Sequence, residues 1–198
     1  MKTPLRFVLL CAGLLLAAPA FANSPSPEGF VKAKQSELST LMKQGKTNAV
    51  EQKIGAVFDQ MLDYDTLAKE SLGEQWDQRT DAERKEFQDV LKRLVQKNYK
   101  KNLRKTLDYE VEYKGESKAK KGVMVRTVAR NKKNSREEPV SVDYVLHDVS
   151  GKWLVFDIVT EGSSLISTYK NQFRRVIKKK GFDGLIKQMK AKLDDEAA

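Results

Sequence analysis

The chain has 198 residues, 40% of them hydrophobic and 32% charged, with a formal net charge of +10, one cysteine and one histidine. This balance excludes a disordered polymer, because it provides enough apolar side chains for an ordinary core. A single histidine and a single cysteine exclude a His-rich metal centre and a disulfide framework.

The first residues run MKTPLR, then FVLLCAGLLLAAPA, then Ala20-Phe21-Ala22. A basic start, a short apolar run and an A-x-A site in that order predict a cleavable secretory signal over residues 1–22 and a single domain over 23–198. Leu10 precedes Cys11 where a lipoprotein needs a small residue, so lipidation is not expected. Cleavage removes Cys11, and also Lys2 and Arg6 with no acid, which takes the charge from +10 to +8. No later stretch approaches the ~20 apolar residues of a membrane helix, so a soluble exported protein is expected. Outside the cytoplasm the positive charge suits anionic lipid surfaces or acidic protein patches, or simply a solvated surface. Nucleic-acid binding is not expected, since no aromatic-plus-basic recognition motif is present.

NSPSPEG reads as a leader. A first helix is predicted from Phe30 to about Gln44, with Leu38, Leu41 and Met42 inward, and Gly45 stops it. Thr47 caps a second helix carrying Val50, Ile54, Val57, Phe58 and Met61 at helical spacing. A short helix follows from Tyr64 to Leu72. Thr80 and Glu83 form a capping box for a long amphipathic helix running to about Leu107, with Phe87, Leu91, Leu94 and Val95 on its apolar stripe.

Beyond Leu107 the period changes to two. Tyr109, Val111 and Tyr113 alternate with Glu110 and Glu112 in a strand with one wet face. Val123 to Ala129 forms a second strand. A basic loop, RNKKNSREEP, leads to a third, in which Val140, Val142, Tyr144 and Leu146 share a face. WLVFDIV is a fourth, with Val155, Asp157 and Val159 on one face and Phe156 and Ile158 on the other. The expected fold is α+β, with a four-stranded antiparallel meander packed by several helices. Ser163 to Lys180 is predicted as a helix ended by Gly181, and a last helix runs to about Leu193.

Catalytic motifs are absent from the sequence: there is no G-x-S-x-G, H-E-x-x-H, P-loop or G-x-G-x-x-G. His147 sits late in a strand and reads as a hydrogen-bonded strand-end residue. Asp143 and Asp157 admit an acid-pair reading and equally a structural one. The apolar residues of sheet and helices fit either a filled core or a slot, which periodicity does not distinguish.

Two segments carry a family likeness. They are YDTLAKESLGEQWDQRTDAERKEFQDVLKRLVQKNYKKNL and VDYVLHDVSGKWLVFDIVTEGSSLISTYKNQFRRVIKKKGFDGLI, with Leu72-Gly73, Trp76, Gly151-Lys152-Trp153, Asp157, Glu161-Gly162, Ser164-Leu165 and Gly181 in order. The chain resembles the MlaC family of toluene-tolerance auxiliary transport proteins. The resemblance implies a curved, cone-like sheet with an internal lipid slot. It also implies a periplasmic carrier of single phospholipids, expected to be monomeric, between an outer-membrane lipoprotein–porin complex and an inner-membrane ABC transporter with its substrate-binding subunit. Such a carrier maintains outer-membrane lipid asymmetry, catalyses nothing and needs no cofactor or metal.

On that expectation the slot is lined by Val111, Tyr113, Val125, Val142, Tyr144 and Leu146 from the sheet and by Leu94, Leu165, Ile166, Tyr169 and Phe173 from helices. The resemblance supports the helical group and Tyr144; alternation supplies the others. Basic residues expected to dock partners or a head group are Arg93, Lys97, Lys100 and Arg104, and Arg174, Lys178 and Lys179. The rival readings are an enzyme on a similar cone using Asp157 and Tyr144, and an adaptor with a solid core.

Overall fold

Local capping chemistry sets the helix ends in the computed structural model, which describes residues 25–194; the expected signal peptide lies outside them. Helix α1 (Pro27–Lys43) begins where the Ser26 hydroxyl accepts the Gly29 amide, and α2 (Asn48–Met61) where Thr47 accepts the Val50 amide. Asp63 caps α3 (Tyr64–Leu72) through the Thr66 amide at 2.9 Å. The predicted capping box closes in both directions. Thr80 accepts the Glu83 amide at 3.2 Å and Glu83 accepts the Thr80 amide at 2.7 Å, opening α4 (Asp81–Leu103). That helix is shorter than its periodicity suggested, because Arg104–Asp108 tightens into a 3₁₀ turn that feeds the sheet.

The sheet contains five strands, not four: β1 (Tyr109–Lys118), β2 (Val123–Asn131), β3 (Val140–Val149), β4 (Lys152–Thr160) and β5 (Ser163–Ser164). They run antiparallel in sequential order and the sheet is not closed. The extra strand arises at the exit of β4. Glu161 and Gly162 adopt φ of 49° and 73°, turning the chain so that Ser163 and Ser164 pair back on Thr160 and Val159. Helix α5 (Leu165–Asp194) follows and breaks at Gly181, at the predicted stop.

Register decides which side chains face the helices. Pairing places Val111 opposite Ala129, Tyr113 opposite Thr127, Val125 opposite Tyr144, and Val142 opposite Thr160, all on one inner face. Between Val145 and Leu146 the partner strand carries one extra residue, Phe156. This bulge corrects the simple alternation expected for β4: Val155 pairs with Leu146 and Ile158 with Tyr144, so both face inward. Phe156 and Asp157 go outward, where Phe156 meets the His147 ring at 4.7 Å between centroids. A second irregularity lies between Tyr113 and Glu116 in β1.

The core forms where the inner face meets α1 to α4. Val125, Leu146 and Val155, at most 1% exposed, join Val31, Ile54, Phe87, Leu91 and Val95 in one buried cluster. At ~25 cal/mol per Å² such burial is the main stabilising contribution. Helix α5 seals the side of α4: Phe173 meets Phe87 edge-on at 5.4 Å and Tyr169 stacks on Phe173 at 5.2 Å. No described helix is long and apolar enough to cross a membrane.

Candidate functional site: an apolar cavity between α1 and the sheet

Helix α1 spans the inner face of the sheet and is fixed at both ends. At its start the Glu28 amide donates to Glu116 Oε1 at 2.9 Å. At its end the Arg104 guanidinium donates to the carbonyls of Met42 at 3.0 Å and Gly45 at 2.8 Å, and pairs with Glu51 at 3.2 Å. Several of the residues lining the space between α1 and the sheet are small: Ser36, Ser39, Thr127, Ala129 and Thr160. They do not fill the gap.

A cavity of about 780 Å³ results. This lies toward the upper end of the ~300–1,000 Å³ usual for ligand sites. Its walls are Leu38 and Met42 of α1, Phe58 and Met61 of α2, Tyr99 of α4, Leu107 of the 3₁₀ turn, and Tyr109, Val111, Tyr113, Val140, Val142, Tyr144 and Ile158 of the sheet.

Three polar groups sit together within it. Gln35 Nε2 donates to the Tyr144 hydroxyl at 2.7 Å, and the Tyr113 hydroxyl donates to Gln35 Oε1. Burial pushes the phenols of Tyr99, Tyr113 and Tyr144 up from their ordinary value, so all three stay neutral. Among the described residues, the charged ones lining the cavity are all lysines: Lys32, Lys43, Lys105 and Lys132.

The structure brings together four of the residues expected to line a slot, Val111, Tyr113, Val142 and Tyr144. It does not bring the other seven there. Val125 and Leu146 are fully buried in the solid core, because they face the part of the sheet covered by α2 to α4. Leu94, Tyr169 and Phe173 line a separate void of about 70 Å³ between α4 and α5. Leu165 and Ile166 pack on the core. The stripe of α5 therefore covers other helices and not the cavity.

Sequence reasoning assigned Leu38, Met42, Phe58 and Met61 to core and did not connect Tyr99, Ala129 or Ile158 with a cavity. Only the small residues of α1 and β2 signalled unfilled space there.

Among the expected docking cations, Arg104 caps α1 as described, and Lys97 Nζ donates to the Leu193 carbonyl at 2.6 Å, at the end of α5. Both are engaged in internal contacts. Lys100 is half-buried, whereas Arg93, Arg174, Lys178 and Lys179 are exposed.

The acid-plus-tyrosine pair does not converge. Asp157 faces outward and accepts from Ser164 Oγ at 2.6 Å and the Ile166 amide at 3.0 Å, capping α5, while Tyr144 faces the cavity. Asp143 accepts the Thr127 amide at 3.1 Å. His147 Nε2 lies 2.7 Å from Asp63 Oδ2. No cluster of three metal-ligating residues occurs among the described residues.

A half-open antiparallel sheet, helices over one face and a large apolar cavity between them define an α+β cavity protein with no assembled catalytic constellation among its described residues. The MlaC protein family model matches residues 32–191, and the chain belongs to that family. A solved structure with a similar fold is that of a phospholipid-binding protein from Ralstonia solanacearum in complex with a phospholipid. It is 28% identical, with a TM-score of 0.72, and the match covers 87% of this chain and 99% of that one.

Proposed function

We propose that the cavity under α1 holds the acyl tails of a phospholipid, and that the protein is a non-enzymatic periplasmic carrier. It takes single lipids between an outer-membrane complex and an inner-membrane ABC transporter, so preserving lipid asymmetry. The observation that carries this reading is the cavity of about 780 Å³ with an apolar wall. Membership of the MlaC family and a neighbour solved with a phospholipid support it.

The physical need is large. A diacyl lipid has ~30 methylenes, and at ~0.8 kcal/mol each their exposure costs of order 20 kcal/mol, which makes unaided transfer through water extremely slow. A protein cavity exchanges one apolar environment for another, so loading and unloading are both accessible. The head group stays at the mouth, since burying its charge unpaired is expensive. The exposed cations Arg93, Arg174, Lys178 and Lys179 supply the surface that meets the membrane complexes.

The test is to purify the exported chain without detergent and analyse it by native mass spectrometry and solvent extraction. Near one-to-one phospholipid, exchangeable with liposomes, is expected. A chain that stays lipid-free after liposome incubation would remove the reading.

A further inference from the structure

Of the four lysines lining the cavity, Lys32 lies near the start of α1 and pairs with Glu28 at 2.5 Å; the other three come together elsewhere. Arg104 binds the Met42 carbonyl, which ties the 3₁₀ turn carrying Lys105 to the end of α1 that carries Lys43. The Lys132 amide donates to the Asp108 carbonyl at 2.8 Å, which ties the end of β2 to the same 3₁₀ turn. Three separate segments thus deliver Lys43, Lys105 and Lys132 to one end of the cavity, and all three line it.

Nearby acids are already matched. Asp108 pairs with Lys133 at 2.7 Å and Glu51 with Arg104 at 3.2 Å. No ion pair joins Lys43, Lys105 or Lys132 to a described residue, and among the described residues no acid lines the cavity. The opposite end is the floor, where Met61, Leu62 and Ile158 are at least nine-tenths buried.

We infer that this triad is a head-group rim selecting phospholipids with net negative charge over zwitterionic ones. The inference rests on the proposed function, because it takes the tails to lie in the cavity and to run toward Ile158. A phosphodiester at the mouth meets three ammonium groups. When the head group also carries a choline cation, that cation meets the same three like charges, whereas a glycerol head group adds none. Because the lysines are exposed, the discrimination is modest, about five-fold at low ionic strength, and weakens with salt.

The protein is equilibrated with vesicles of equal phosphatidylglycerol and phosphatidylcholine, re-isolated, and its bound lipids counted by mass spectrometry. About five-fold enrichment of phosphatidylglycerol is expected, falling to the vesicle ratio in K43Q/K105Q/K132Q with total lipid unchanged. K69Q/K120Q/K152Q removes the same charge at exposed positions that line neither the cavity nor the proposed docking surface and should keep the enrichment, which separates the rim from general attraction of a basic protein to an anionic surface. Single variants K43Q and K132Q should each lose part of it.

A triple rim variant that retains full enrichment, or a wild-type protein that shows none, overturns the rim while leaving the carrier intact. Absence of phospholipid from every variant overturns both.

Discussion

Ala129 is the most informative position to perturb. It lies on β2 opposite Val111 and Val140, with its methyl group directed into the cavity. Replacing it by tryptophan places an indole where tails are proposed to lie. The indole displaces on the order of five methylenes, and at ~0.8 kcal/mol each the lost tail burial is ~4 kcal/mol. With a factor of ten per ~1.4 kcal/mol, lipid affinity should fall by between two and three orders of magnitude. The fold should survive, because the ring enters space that no side chain fills. Val128→Trp, one residue away on the opposite face, is the control and should bind normally. The assay is lipid content after liposome equilibration, with circular dichroism and thermal melting to confirm folding. A folded A129W protein with stoichiometric, normally exchanging phospholipid would refute the assignment of this cavity to the tails.

Two further outcomes follow from the groups around the sheet. Asp157→Ala removes the acceptor for Ser164 Oγ and the Ile166 amide, and should cost about 1–2 kcal/mol, as loss of a helix cap does. Denaturant titration reads that loss, and the variant should still carry lipid; loss of lipid from a folded variant would contradict a purely capping role. Asp63 gives a pH signature. Burial pushes its carboxyl up, but the amide and hydroxyl of Thr66 and the His147 ring outweigh it and hold the carboxyl below its ordinary value of 3.8. A depressed native pKa stabilises the fold fully above the ordinary value, and that contribution disappears as pH falls through the native one. The stability gap between wild type and Asp63→Asn should therefore be constant near neutrality and close in acid. A gap that widens in acid would show the sign to be wrong.

Local chemistry was readable from the sequence wherever neighbours in the chain decide it. Thr47, Thr80 with Glu83, and Gly181 announce their helix boundaries because a cap needs only residues three or four apart. The meander was readable for the same reason, as short connections join β1 to β2 and β3 to β4. The cavity was less so. Tyr144 and Val142 fall on the predicted inner face, yet Leu146 on that same face is solid core; the difference is which helix lies above, a matter of distant packing. The stripe from Leu165 to Phe173 has the periodicity of any buried helix, and nothing local states that its partner is α4. The three lysines of the rim come from segments far apart in the chain, so no single stretch of sequence displays them together.

The bulge at Phe156 gives β4 a parity. Residues before it and after it obey opposite odd–even rules, so the inner face holds Val155 on one side of the bulge and Ile158 and Thr160 on the other. Removing Phe156 would leave both flanking registers intact, with Val155 still opposite Leu146 and Asp157 still opposite Val145, so Ile158 would stay inward and Asp157 would keep its cap on α5. Loss of one residue in the regularly paired stretch from Asp157 to Thr160 has no such slack and would turn the side chains beyond it to the other face. Residues in related chains correspond only when they are counted from the bulge.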